Sequence, residues 1–246
     1  TSLQNLAAII STNIPIERMN EIENYPVQPG TAEFSSDGYD IEFKDVRFSY
    51  NRGETVLDGV SFTAKQGEVT ALIGPSGGGK STAAKLAARF WDADGGTITV
   101  GGTDVKTVDP ESLLSAYSIV FQDVTLFNNT VMENIRIGRQ GATDAEVLKA
   151  AKDARCDEFV SRLPHGYDTM IGENGSTLSG GERQRIAIAR VMLKDAPIVV
   201  LDEATAFADP ENEARVQKAF ERLAKGKTVV MIAHRLTTVQ NADMIY

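Results

Sequence analysis

Apolar and polar positions along this 246-residue chain change period several times, and each change predicts a change of element. Near the N-terminus Leu3, Leu6, Ala7, Ile10 and Ile14 recur at helical spacing. Residues 24–40 carry Pro, Gly, Ser and acidic side chains without a period, and they read as a linker. On residues alone, the N-terminal stretch is either the end of a helix belonging to something upstream or an ordinary amphipathic arm. From Ile41 the period falls to two. Ile41 and Phe43, then Val46, Phe48 and Tyr50, alternate with polar neighbours, and the phase slips near Lys44 and Asp45. A one-residue slip turns every side chain to the other face, so a bulge is predicted there. Residues 60–64, Val69–Ile73 and 97–100 are further strand signals bounded by Gly or Asp. Together these predict an antiparallel β region. The helical period returns at 81–90, 144–154, 179–193 and 211–223. Residues 198–201 and Thr228–Ala233 are apolar runs with no charge, the pattern of parallel strands covered on both faces. The predicted class is α/β, with an added β sheet and a helical insertion.

Composition removes several alternatives. An apolar fraction of 42% and a charged fraction of 24% exclude disorder of the whole chain. No apolar run approaches the ~18–20 residues of a membrane span. The single cysteine, Cys156, can form neither an internal disulfide nor a cysteine-based zinc site. Lys and Arg number 25 against 34 Asp and Glu, a net charge of −9. Such a chain lacks the broad basic field of a nucleic-acid coat, so no nucleic-acid partner is expected. A local phosphate site remains open to it, because a few amides and one lysine suffice.

That site is legible after the strand ending at Ile73. Gly74-Pro75-Ser76-Gly77-Gly78-Gly79-Lys80-Ser81 matches G-x-x-x-x-G-K-[ST], the Walker A phosphate loop. Glycines let the backbone wrap a phosphate with its N–H groups inward, and the following helix adds the positive end of its dipole. Lys80 is expected to reach the β- and γ-phosphates of ATP, and Ser81 to offer its hydroxyl to Mg2+, with Thr82 the weaker second hydroxyl. The run 198–201 ends in Asp202 and Glu203. Beside a phosphate loop, Asp202 is placed to hold Mg2+ through a water, and Glu203 to polarise the attacking water. A second glycine-rich helix start follows Leu178: Ser179, an N-cap residue, then Gly180, Gly181 and Glu182.

With Leu178-Ser179-Gly180-Gly181 placed before the acidic strand, residues 41–246 resemble the nucleotide-binding domain of an ATP-binding cassette (ABC) transporter of the exporter type. The resemblance implies a P-loop NTPase (RecA-like) core, an antiparallel β subdomain and an inserted α-helical subdomain at about 123–190. It makes residues 1–40 the end of an upstream membrane helix and a linker, and it expects family members to run on past Tyr246. It implies that Tyr50 stacks on adenine, and that Gln122 touches Mg2+ or the water and senses a membrane domain. His234 becomes the switch histidine beside the γ-phosphate, whereas His165 is read as surface. Residues 169–175 resemble the exporter segment before the signature, with Asn174 where an Arg is usual. Asp209 is kept in a loop whose Ala206, Phe207 and Ala208 depart from the family's Ser-Ala-Leu. The implied partners are ATP, a second ABC ATPase domain in a homodimer or heterodimer, and a transmembrane domain fused upstream. Leu178, Ser179, Gly180, Gly181 and Glu182 would act on the partner's ATP. The implied activity is ATP hydrolysis that drives export at the cytoplasmic face of a membrane. The run 203–213 faintly resembles siderophore or iron-linked exporter halves, and a soluble ABC ATPase of DNA repair or translation is the alternative.

Overall fold

A computed structural model describes residues 15–20, 22–24, 28–30, 32–51, 53–121, 123–202, 224–233, 239 and 241–246. Two sheets organise the chain. The first is antiparallel, ordered β2-β1-β4-β5: β1 is Ile41–Ser49, β2 Thr55–Ala64, β4 Gly95–Val100 and β5 Thr103–Asp104. The second is ordered β6-β7-β8-β3-β9: β3 is Val69–Ile73, β6 Tyr117–Val120, β7 Ile198–Asp202, β8 Thr228–Ala233 and β9 Met244–Ile245. Every pair in this second sheet is parallel. Residues 15–20 are helical, and from Lys80 onward the α-helices among the described residues are α1 (Lys80–Ala87), α2 (Pro110–Ser115), α3 (Val131–Arg136), α4 (Asp144–Asp153), α5 (Asp157–Val160) and α6 (Gly180–Lys194).

The charge-free runs predicted to be buried on both faces are β7 and β8, and every residue of both is buried. Alternate side chains of a strand point to opposite faces. Val199, Leu201, Val229 and Met231 therefore join Ile135, Val147 and Ile186 of the helical layer. Ile198, Val200, Val230 and Ile232 join Ile41, Phe43 and Leu86 on the other side. Each such side chain contributes about 1.5–3 kcal/mol relative to exposure, which sets these strands at the centre.

The slip predicted near Lys44 is a register shift in both pairings of β1, with Asp45 at φ 48°. The bulge presses its carbonyls against Gly96, where a Cβ would collide with Lys44 and Asp45.

Two expectations need correction. Val69–Ile73, grouped with the antiparallel strands, lies in the parallel sheet, because its three central residues are covered on both sides. The helix expected to run to residue 90 stops at Ala87. Arg89 takes φ 56° there, and the Phe90 amide reaches back to the Lys85 carbonyl at 2.9 Å, a Schellman-like end made without glycine. Residues 28–40, whose composition reads as a linker, are fastened along the domain. Ala32 pairs with Val108, and the Phe34 amide donates to Ser112 Oγ at 2.8 Å. The buried Arg89 guanidinium donates to the carbonyls of Pro29 and Val108 and pairs with Asp92 at 2.9 Å. The predicted helix at 211–223 lies outside the described residues.

Candidate nucleotide site

The parallel sheet lines up the ends of four strands. Val120 pairs with Leu201, Asp202 with Ile232, and Ala233 with Ile73. The chain leaves β6 towards Gln122, β7 towards Glu203, β8 towards His234 and β3 into Gly74, all at one edge. Parallel strands lie about 4.8 Å apart, so β3 and β7 end roughly 10 Å from each other. In open α/β sheets the carboxyl edge is where ligands bind. Gln122, Glu203, Asp209 and His234 themselves lie outside the described residues.

Between β3 and α1, Gly74, Gly77 and Gly79 take φ of 149°, 80° and 78°. Gly79 is also tightly enclosed: a Cβ there would lie 2.6 Å from Leu57 Cδ2 and 3.0 Å from the Val56 carbonyl oxygen. Only glycine meets both conditions. The loop is drawn together by the Gly78 amide, which donates to the Pro75 carbonyl at 3.1 Å. Lys80 is buried, and its ammonium donates to the carbonyls of Gly74 (2.9 Å) and Pro75 (2.8 Å). An ammonium carries three donors, so one remains beyond these bonds for a phosphate. Ser76 and Ser81 complete the loop, with Ser81 at the first turn of α1.

Ser81 and Asp202 line one small cavity with Phe90 and Phe121. That cavity is lined mainly by apolar atoms, so it is not itself a metal site; it shows that α1 and β7 bring Ser81 and Asp202 to one place, and a hydroxyl and a carboxylate are hard oxygen donors of the kind that suits Mg2+ shared with a nucleotide. Among the described residues no group of three or more His, Cys, Asp or Glu could hold a metal by itself.

Tyr50 stands just past β1, close to half exposed. Its hydroxyl lies 3.1 Å from Thr82 Oγ1, on the phosphate-loop helix. Its ring meets Phe48 edge-on at 4.9 Å and Trp91 at 5.2 Å. Thr82 is thus brought to the aromatic as well as to the loop. Trp91, packed against Tyr50, is a neighbour of the candidate site that the period-two and motif reading missed. The available signal was an exposed aromatic pair, Phe90 and Trp91, directly after the helix.

The second glycine-rich start is built as a capping box. The Glu182 amide donates to Ser179 Oγ at 3.4 Å, while Glu182 Oε2 accepts from the Ser179 amide and hydroxyl, each at 2.8 Å. Leu178 is buried beneath it, while Ser179 and Gly180 are exposed. Helix α6 packs on α3, α4 and β6, whereas α1 packs on β4 and β8. The two helix starts therefore belong to different layers of the chain. His165 is exposed, as expected. Asn174, at φ 50°, accepts from the Leu126 amide at 3.1 Å.

Comparison with known proteins agrees with this arrangement. The family model described as ABC transporter matches residues 57–206. The chain is 49% identical over 219 residues to the beta-(1→2)glucan export ATP-binding/permease protein NdvA of Agrobacterium fabrum, covering 89% of this chain and 37% of that protein. It is 44% identical over 245 residues to the ATP-dependent lipid A-core flippase of Desulfotalea psychrophila, covering 100% of this chain and 42% of that one. Among solved structures, a bacterial Atm1-family ABC exporter with ATP bound superposes with a TM-score of 0.90 at 40% identity, over 96% of this chain and 42% of that one. The chain thus spans about two fifths of these relatives' length.

Proposed function

The chain belongs to the ABC transporter family, and from that membership we propose that it is the ATP-hydrolysing motor of an exporter. The observation that carries the reading is the glycine loop between β3 and α1, with Lys80 folded over it and one ammonium donor to spare. In this reading residues 74–82 bind the phosphates of ATP, with backbone amides and the Lys80 charge on the anion. Tyr50 stacks on adenine, held edge-on by Trp91. Ser81, Gln122 and Asp202 (through a water) hold Mg2+, which when bound neutralises developing phosphate charge. Glu203 polarises the attacking water, and His234 contacts the γ-phosphate. Leu178, Ser179, Gly180, Gly181 and Glu182 serve the ATP of a second, head-to-tail domain, with Asp209 at the junction. The separate packing of α1 and α6 supports sharing, because nothing requires both helix starts of one chain to face one phosphate.

The relatives' names speak of permeases and export, and their extra length supports a membrane domain joined upstream of residue 41. Residues 1–40 would then be the connection, and the ATPase would work at the cytoplasmic face. Among the described residues no helix is long and apolar enough to cross a membrane. Those names mention glucan and lipid A-core; they lend no support to a siderophore cargo or to a soluble repair or translation ATPase. Calorimetry with MgATP tests the central claim. Lys80→Ala should lose most of the affinity and all turnover, and unchanged binding would remove residues 74–81 from the site.

A further inference from the structure

Three consecutive residues just past Gln122 are held by side chains from the helical layer. The Thr125 carbonyl accepts from Arg190 Nη1 at 2.7 Å. The Leu126 amide donates to Asn174 Oδ1 at 3.1 Å. The Phe127 amide donates to Asn134 Oδ1 at 2.9 Å, and the Phe127 carbonyl accepts from Asn134 Nδ2 at 3.0 Å. Asn134 is fully buried, and Arg190 ties it to α6 through Nε to its carbonyl (2.6 Å) and Nη2 to its Oδ1 (2.8 Å). The guanidinium also lies 5.9 Å from the Phe127 ring. Burial lowers Arg190 to about 10, far enough above neutral that it stays charged and keeps its fork of donors. Upstream, Val120 is fixed in the parallel sheet against Leu201. Arg190 sits on the helix that begins after Ser179, ~16 Å along its axis from that cap.

We propose that Arg190 and Asn134 are positioning residues for ATP hydrolysis: they lock residues 125–127 to the helix that presents Ser179. Ser179 is then held with residues 125–127 as one body. A hydrogen-bonded helical rod transmits a displacement along its length, whereas an unclamped loop would absorb it. The inference rests on the reading of Ser179, Gly180 and Gly181 as the contact to a partner's ATP.

Arg190→Lys tests it, because lysine keeps the charge and loses the fork. The variant is compared with its parent in three measurements. MgATP affinity by calorimetry should stay within about twofold, since the phosphate loop is untouched. In a Glu203→Gln background, the MgATP-driven dimer should weaken ~10-fold or more, the cost of losing bonds to a charged donor. Hydrogen exchange should rise together at the amides of 126–127 and 183–186, and stay unchanged at 83–86 of α1. Faster exchange at 126–127 alone, with an unaltered dimer, would overturn the proposal and leave Arg190 a packing residue. Should the Glu203→Gln parent itself not dimerise, the head-to-tail reading fails. Coupled or uncoupled exchange then decides the clamp by itself. If Arg190→Lys does not fold, Asn174→Gly, which tolerates φ 50° and removes only the Leu126 bond, should show the same coupled exchange to a smaller degree.

Discussion

Cys156 shows how burial alone decides a residue's chemistry. Its side chain is fully enclosed, and desolvation pushes the thiol up to about 12, with the Arg185 charge only partly opposing. In the unfolded chain a thiol titrates near ~8.5. The folded state therefore keeps its proton longer than the unfolded state does. The resulting stability is fully present below the unfolded value and is lost as pH rises from about 9 towards 12. Denaturation curves at pH 7 to 11 should show a steeper alkaline loss for the native chain than for Cys156→Ala. Parallel curves would contradict the assignment. The native thiol should also resist alkylation at pH 8 until the chain is unfolded.

Among the elements, the unit that carries most is strand β3, its glycine loop and helix α1. The helix has no side-chain N-cap; Gly79, left-handed and pressed against β2, takes that place. The antiparallel sheet thereby sets where the phosphate loop closes. Gly79→Ala would combine a disfavoured φ with a Cβ 2.6 Å from Leu57. A cost of about 1–3 kcal/mol is expected, together with weaker ATP binding. Urea denaturation beside calorimetry checks both, and a variant of native stability would show that β2 yields easily. Helix α6 is terminated differently, by its own capping box, so its start is formed before any ligand arrives. Asp195 then closes α6 at φ 55° and turns the chain into β7.

For the whole molecule, the separation of the two helix starts makes assembly the central question. A γ-phosphate carries enough charge to be shared by two helix N-termini, and hydrolysis removes that shared ligand. These 246 residues by themselves should be monomeric without nucleotide, since the ATP between two copies is what would hold them together. Glu203→Gln should slow hydrolysis ~10²–10⁴-fold, the range for a general base, and so accumulate an MgATP-bound dimer. Adding Ser179→Arg should abolish that dimer by filling the phosphate contact. Light scattering that finds Glu203→Gln monomeric at saturating MgATP would count against the shared site.

Much of this was legible in the residues themselves. The apolar period gave β1, its bulge, the buried strands β7 and β8 and the cap of α6, because those features depend on near neighbours in sequence. The glycine spacing and Lys80 announced a phosphate site for the same reason: a loop that wraps an anion is a local device. Partners distant in the chain were not legible. Val69–Ile73 could not be assigned to the parallel sheet until Thr228–Ala233 lay beside it. Nothing in its composition said that residues 28–40 would be fastened by Arg89. Tyr50 meets Thr82 and Trp91, and Arg190 meets Thr125, across 32, 41 and 65 residues of chain. Sequence alone determined the chemistry that each short segment can perform. Tertiary structure decided which segments share an edge, because hydrogen bonds and burial depend on distance in space and leave no period along the chain.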